Sequence, residues 1–324
     1  MGGKASRDPL ATTRCGCRSP ADFRVLSFVL ESRTSWGENV RAMSQTDDRY
    51  EAWEEEDQSP TVEDESLAKA WESLDAGDAE SALLHLHGVD ADWPERWVPE
   101  AIARTMVGEL REARIALQRA RQIEELRDDA DLLWAEGLFG LATWNLAEAR
   151  TALERLAASE ESTAVLDKLA LLEDLEGRYS ESDARLARAR ELDAQFPLPT
   201  RIDPEEFLLV VRDAIEKLPE QFQIPLETTD VLVEPVPADW MIDHTDPADT
   251  PPDILGLFVG TSEIEGTEAI DAALPRRIFL FQRNLERDAK DREQLVEEIR
   301  KTLFHEIGHM LGFDEEGVAQ MGLE

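Results

Sequence analysis

The sequence predicts a multidomain fold: an all-α helical-repeat solenoid over residues 66–196, a linker at 197–205, and a small α+β domain over residues 206–324. Three observations predict it. A ten-residue pattern recurs four times in the first part, at a spacing of roughly 33 residues, as in helix-turn-helix repeats. A proline-rich stretch then interrupts the helical periodicity. Beyond it, short apolar runs alternate with amphipathic segments, as mixed strands and helices require.

Residues 1–42 are rich in Arg and Ser and lack clear periodicity, whereas the chain turns abruptly acidic after Met43. This contrast makes Met43 the expected natural start and 1–42 a misassigned extension; the alternative is a disordered tail or transit-like segment. Residues 47–65 (DDRYEAWEEEDQSPTVEDE) are a charged, low-complexity lead-in, so 1–65 as a whole is expected to be a disordered, variable N-terminal segment. Phe23 to Leu30 (FRVLSFVL) follows several arginines, but Asp8 and Asp22 interrupt the basic region and no small-residue cleavage pattern follows.

The helical part is rich in Ala, Leu, Glu and Arg. Its four similar segments are GDAESALLHL from Gly77, GELREARIAL from Gly108, WNLAEARTAL from Trp144 and GRYSESDARL from Gly177. Gly or a polar residue makes each turn, and Ala82, Ala113, Ala149 and Ser182 are small enough to let paired helices approach. Trp93, Trp97, Trp134 and Trp144 read as core residues rather than ligand platforms. His85 and His87 belong to this region and receive no role. The linker QFPLPTRIDPE carries Pro197, Pro199 and Pro204. After it, Phe207 to Leu218 has apolar residues at helical spacing. Val231 to Val236, Leu255 to Val259 and Ile278 to Phe281 read as strands, Pro237 to Pro252 as a loop, and Asp291 to Leu311 as the last helix.

Bulk properties bound the function. With 71 acidic against 34 basic residues the net charge is −37 and the pI about 4.4. Such a field excludes nucleic-acid partners, which need basic surface to neutralise phosphates. It would attract basic peptides, but its main service is solubility. Cys15 and Cys17 are the two cysteines, too few for a disulfide framework, which suits a reducing cytoplasm; no thiol remains to complete a structural metal site with them. No run of 18 apolar residues exists, so no membrane partner is expected and the expected location is cytoplasmic.

The chemistry sits in HEIGH at 305–309. Histidines at i and i+4 share one helical face, so His305 and His309 can reach one cation. Glu306, beside the first ligand, is placed to act as the general base of hydrolysis without binding the metal, which is the logic of the zinc-peptidase signature. Leu295, Ile299, Leu303 and Met310 fall on a core face, with the histidines expected to point elsewhere. A catalytic zinc takes three protein ligands. Fifteen residues follow His309, too few for a ligand from a distant later helix. A sharp turn at Gly312 instead brings Glu315 to the third ligand position, with Asp314 as its competitor. His244, in the Asp/Pro-rich loop, is either an oxyanion stabiliser or a solvated histidine, and Met321 either a turn beneath the site or a packing residue.

The unit EGRYSESDARLARARELDAQFP resembles the second helix of a tetratricopeptide repeat with its terminal proline, so residues 66–196 resemble an array of three to four degenerate such repeats. Residues 203–324 resemble a family of minimal zincin-like bacterial metallopeptidases, through PEEFLLVVRDAIEKLPEQF, DVLVEPVP, DILGLFVG and RRIFLFQRNLER followed by HEIGHMLGFDEE. The resemblance implies a Zn2+ cofactor and an acidic third ligand after the glycine, usually aspartate, at the place of Glu315. It also implies that an edge strand, for which Ile278 to Phe281 is the candidate, holds an extended peptide; the alternative is that this strand is simply interior.

Two functions from different classes follow. One is a zinc-dependent metallopeptidase acting on a peptide or protein substrate, with the helical repeats binding that substrate or a partner protein. The other is a tetratricopeptide-type binding scaffold with a non-catalytic zinc domain.

Overall fold

Four turns with the same backbone twist organise the helical part. In the computed structural model, which describes residues 61–242, 244, 247–260 and 276–313, Gly77, Gly108 and Gly177 have φ of 79°, 82° and 75°, and Trp144 has φ 56°. A residue with a Cβ pays about 1–2 kcal/mol for that left-handed conformation, so glycine suits three of the four positions. The expectations for residues 1–60, Asp314, Glu315 and Met321 lie outside the described residues.

Each twist separates two helices. The pairs are α1 (Val62–Asp75) with α2 (Ala79–Leu86), α3 (Trp97–Met106) with α4 (Leu110–Ala120), α5 (Ala130–Ala142) with α6 (Leu146–Ser159), and α7 (Thr163–Leu175) with α8 (Tyr179–Leu192). Helix α1 starts at a capping box: the Thr61 hydroxyl accepts from the Asp64 N–H, and the Asp64 carboxylate accepts from the Thr61 N–H. The four small residues in register, Ala82, Ala113, Ala149 and Ser182, are all fully buried. Gly137 and Gly140 have the same purpose on α5. A Cβ on Gly137 would lie 2.6 Å from Leu153 Cδ2, and one on Gly140 would lie 2.8 Å from the Ala149 nitrogen. The helical region is thus consistent with helical repeats.

Contacts divide the chain into two units. One holds the described residues up to Gly140 together with Ala147–Leu166. Its core gathers Leu74, Ile102, Leu117 and Leu138, with Trp97 and Trp134 half-buried against it, while Trp93 packs on a smaller cluster of Ala70, Leu86 and Val89.

The other unit holds Leu141–Leu146 and the described residues from Asp167 onward. After α8 come α9 (Pro204–Lys217), α10 (Glu220–Leu226), β1 (Asp230–Glu234), β2 (Gly256–Val259), β3 (Arg277–Phe281), α11 (Gln282–Asp288) and α12 (Arg292–Leu311). The described strands form a sheet in the order β1-β3-β2, with β3 parallel to β1 and antiparallel to β2; Phe279 is opposite both Leu232 and Leu257. Strand β3 is therefore interior. Of the two readings of this strand the edge fails and the interior holds, because its backbone is paired on both sides.

The sheet separates two apolar layers through the period of two along a strand. Ile278 and Leu280 join Phe207, Leu285, Leu295, Ile299 and Leu303 on the side of α9 and α12. Phe279 and Phe281 join Met241, Ile242, Ile254 and Leu257, with Trp144 packed against them. Burial on both faces explains why the strand reads as one apolar run.

Charged side chains bind α7 and α8 to α11, which follows β3, and to Arg201. The Asp174 carboxylate is fully buried and lies 2.6 Å from Arg283 Nε and 3.7 Å from Arg287 Nη1. Asp183 accepts from Arg283 at 2.7 Å and Arg201 at 2.9 Å, and Asp167 accepts from Arg287 at 2.6 Å. Residues 197–205 lie within this unit: the Thr200 N–H donates to the Glu286 carbonyl at 2.8 Å, and Arg201 pairs with the Glu286 carboxylate at 2.9 Å.

Candidate metal centre

Helix α12 begins where the Asp291 carboxylate accepts from the Gln294 N–H, and ends at Gly312, whose φ of 94° turns the chain to the left. The sequence marked that residue for this conformation. After the turn, the Phe313 N–H donates to the Gly308 carbonyl at 3.1 Å, closing the last turn of the helix.

The same turn fixes a histidine. His309 Nδ1 lies 3.0 Å from the Phe313 carbonyl oxygen. A carbonyl oxygen only accepts, so Nδ1 carries the proton and Nε2 presents its lone pair. That Nε2 is 2.8 Å from His305 Nε2, with the two rings 4.5 Å apart at 74°. Two imidazole nitrogens directed at one point, one of them unprotonated, fit a shared cation, although two ligands on a tetrahedral zinc stand about 3.3 Å apart. The rings would have to separate by a few tenths of an ångström.

Glu306 points into the protein. It is fully buried, as are Leu295, Ile299, Leu303, Ile307 and Met310 of the same helix. The expectation of a core face opposite the site holds for the apolar residues but not for His309, which is 6 % exposed. From Thr302 to Met310 only His305 is half-buried, and every other residue is buried. Against Glu306 stands Gly256 of β2: a Cβ there would lie 3.0 Å from Glu306 Cγ and Oε1 and 2.6 Å from Thr302 Cγ2. The sequence carried a signal for this, since an isolated glycine in an apolar strand marks a close approach.

The structure brings the rings of His305 and His309 together, whereas the Glu306 side chain lies against Gly256; the competing third ligands Glu315 and Asp314 fall outside the described residues. Among the described residues no group of three or more His, Cys, Asp or Glu side chains could hold a metal. His244 is not brought to the site. Its neighbours Met241 and Ile242 pack on the Phe279 face of the sheet, whereas α12 packs on the Ile278 face. Its own Nε2 lies 3.3 Å from the Asp239 carboxylate, and the side chain is largely exposed.

Residues 226–323 match the family model described as zincin-like metallopeptidase. The C-terminal domain is zincin-like. The match spans the sheet, the HEIGH helix and its glycine turn, and it speaks for a zinc-dependent peptidase. No curated protein matches the chain significantly. No helix among the described residues is long and apolar enough to cross a membrane.

Proposed function

We propose that this protein is a zinc-dependent metallopeptidase that hydrolyses peptide bonds in the cytoplasm, with its helical part, a tetratricopeptide-like array, binding the substrate or a partner protein. The observation that supports it best is the convergence of His305 and His309 on one point, with the His309 tautomer set by the Phe313 carbonyl. His305, His309 and Glu315 would hold the zinc, with Asp314 the alternative third ligand. Zinc supplies a Lewis acid that polarises the scissile carbonyl and activates water.

The chain's own residues do the rest. Glu306 accepts a proton from the attacking water at its carboxylate and returns it to the leaving amine. Burial keeps bulk water from competing for that proton. The peptide-pairing role expected of β3 passes to β2, an edge of the described sheet and the strand that carries Gly256 beside Glu306.

The test is the zinc content of the full chain and two variants, alongside peptide cleavage. Glu306→Gln should retain about one zinc per chain and lose cleavage by roughly a thousandfold. Glu315→Ala should lose zinc or bind it far more weakly. Unchanged cleavage in Glu306→Gln would refute the mechanism. The complete burial of Glu306 favours a second reading, a binding scaffold with a non-catalytic zinc domain. That reading predicts bound zinc and no cleavage of any peptide by the wild type.

A further inference from the structure

Trp144 breaks a rule that the other three repeat turns keep. They place glycine in the left-handed conformation, and this turn places the largest side chain there. A backbone strain of this kind persists where other contacts over-determine it. Here they are visible. The indole N–H donates to the Thr250 carbonyl at 2.8 Å, and the ring packs against the cluster of Met241, Ile242, Ile254, Leu257, Phe279 and Phe281.

The Thr250 contact lies at the entrance to β2. From Thr250, itself fully buried, the chain passes Pro252 and Ile254, whose carbonyls both accept from the buried Asn284 amide at 3.1 and 2.7 Å. Four residues after Pro252, Gly256 meets Glu306 and Thr302 without room for a methyl group. Strand β2 therefore has two different faces. Ile254 and Leu257 lie in the Trp144 layer, and Gly256 faces α12.

We propose that Trp144 is a positioning residue for Glu306: its indole backs β2 and keeps the strand pressed against the HEIGH helix. Among the described residues its contacts are with Thr250 and the Phe279 layer. Without the indole, the Phe279 layer would lose part of its cover, and Thr250 would lose its donor. The strand could then retreat from α12, and the Glu306 carboxylate could leave the place where it takes a proton. The catalytic part of this inference rests on the peptidase reading; the mechanical part does not.

The experiment uses the full chain and two substitutions. Trp144→Gly installs the residue that the other three turns use, so the turn itself loses strain. Trp144→Phe keeps a ring but removes the N–H donor, and serves should the glycine variant fail to fold. Hydrogen exchange is followed by mass spectrometry over residues 252–260, with residues 97–120 as the control. We expect exchange in 252–260 to quicken at least tenfold in Trp144→Gly and less in Trp144→Phe, with 97–120 unchanged. In a wild type that cleaves peptide, kcat should fall about tenfold while KM and zinc content stay constant. Unchanged exchange in 252–260 in the folded variants would overturn the proposal. Quickened exchange with unchanged kcat would overturn the link to Glu306. A wild type that never cleaves peptide would sink the peptidase reading alone, because the exchange result still decides whether Trp144 holds the strand.

Discussion

Gly256 shows how little space separates the strand from the general base. A single methyl group at this position would meet Thr302 Cγ2 at 2.6 Å and the Glu306 side chain at 3.0 Å. The helix cannot yield easily, since Thr302 is 2 % exposed and Leu303, Phe304 and Glu306 after it are buried. Gly256→Ala should therefore destabilise the protein by about 1–3 kcal/mol, measured by urea unfolding, and reduce cleavage. Adding Thr302→Ser removes the methyl that stands nearest. The double variant should regain part of the lost stability, and a strictly additive loss would refute the clash. At this scale the sequence was readable for HEIGH and for Gly312, because metal-ligand spacing and left-handed turns have strong local signatures. It was silent on the Phe313 carbonyl and on Asn284. Those contacts depend on where a backbone oxygen ends up, which no side-chain pattern records.

Among the elements, α8 is held through a charged side chain, Asp183, that pairs with Arg201 and Arg283. Burial pushes the Asp183 carboxyl upward, but the Arg283 and Arg201 guanidiniums outweigh it and hold the group below the ordinary aspartate value of 3.8. A carboxylate whose pKa is depressed by folding stabilises the protein above its unfolded value and ceases to do so as pH falls through the folded one. Stability should thus decline below about pH 4 as Asp183 takes up a proton. Asp183→Asn should flatten that part of the curve, read as the urea midpoint between neutral and acid pH; an identical slope in both proteins would remove Asp183 from the account. Elements such as α8 and α12 were legible from spacing and caps. The sheet order was not. Three short apolar runs look alike in sequence, and only pairing shows that β3 is central and β2 an edge of the described sheet. The tetratricopeptide-like pattern placed Trp144 in register with the glycine turns, but the residue itself argued against their backbone, since a tryptophan rarely adopts the left-handed conformation.

At the scale of the whole chain, charge imbalance dominates. A net charge of −37 means that acidic side chains repel one another in the folded state more than the ion pairs compensate. Raising sodium chloride from about 20 mM to about 0.5 M shortens the screening length several-fold and should raise the melting temperature. A fall on adding salt, followed by calorimetry, would show that the Arg–Asp contacts of α7, α8 and α11 outweigh the general repulsion. Composition made this much readable at once. What composition could not show is that the unit containing the zincin-like domain also takes in Leu141–Leu146 and everything described from Asp167.

That discontinuity has a consequence for the order of events during translation. Asp174 is fully buried, and its partner Arg283 lies 109 residues further along the chain. A ribosome adding about 5–20 residues per second needs roughly 5–20 s to bridge that distance. Throughout that interval the nascent helix has only Arg201, 4.0 Å from Asp174 in the finished fold, as a partner for that carboxylate, and its burial must wait for Arg283 and Arg287.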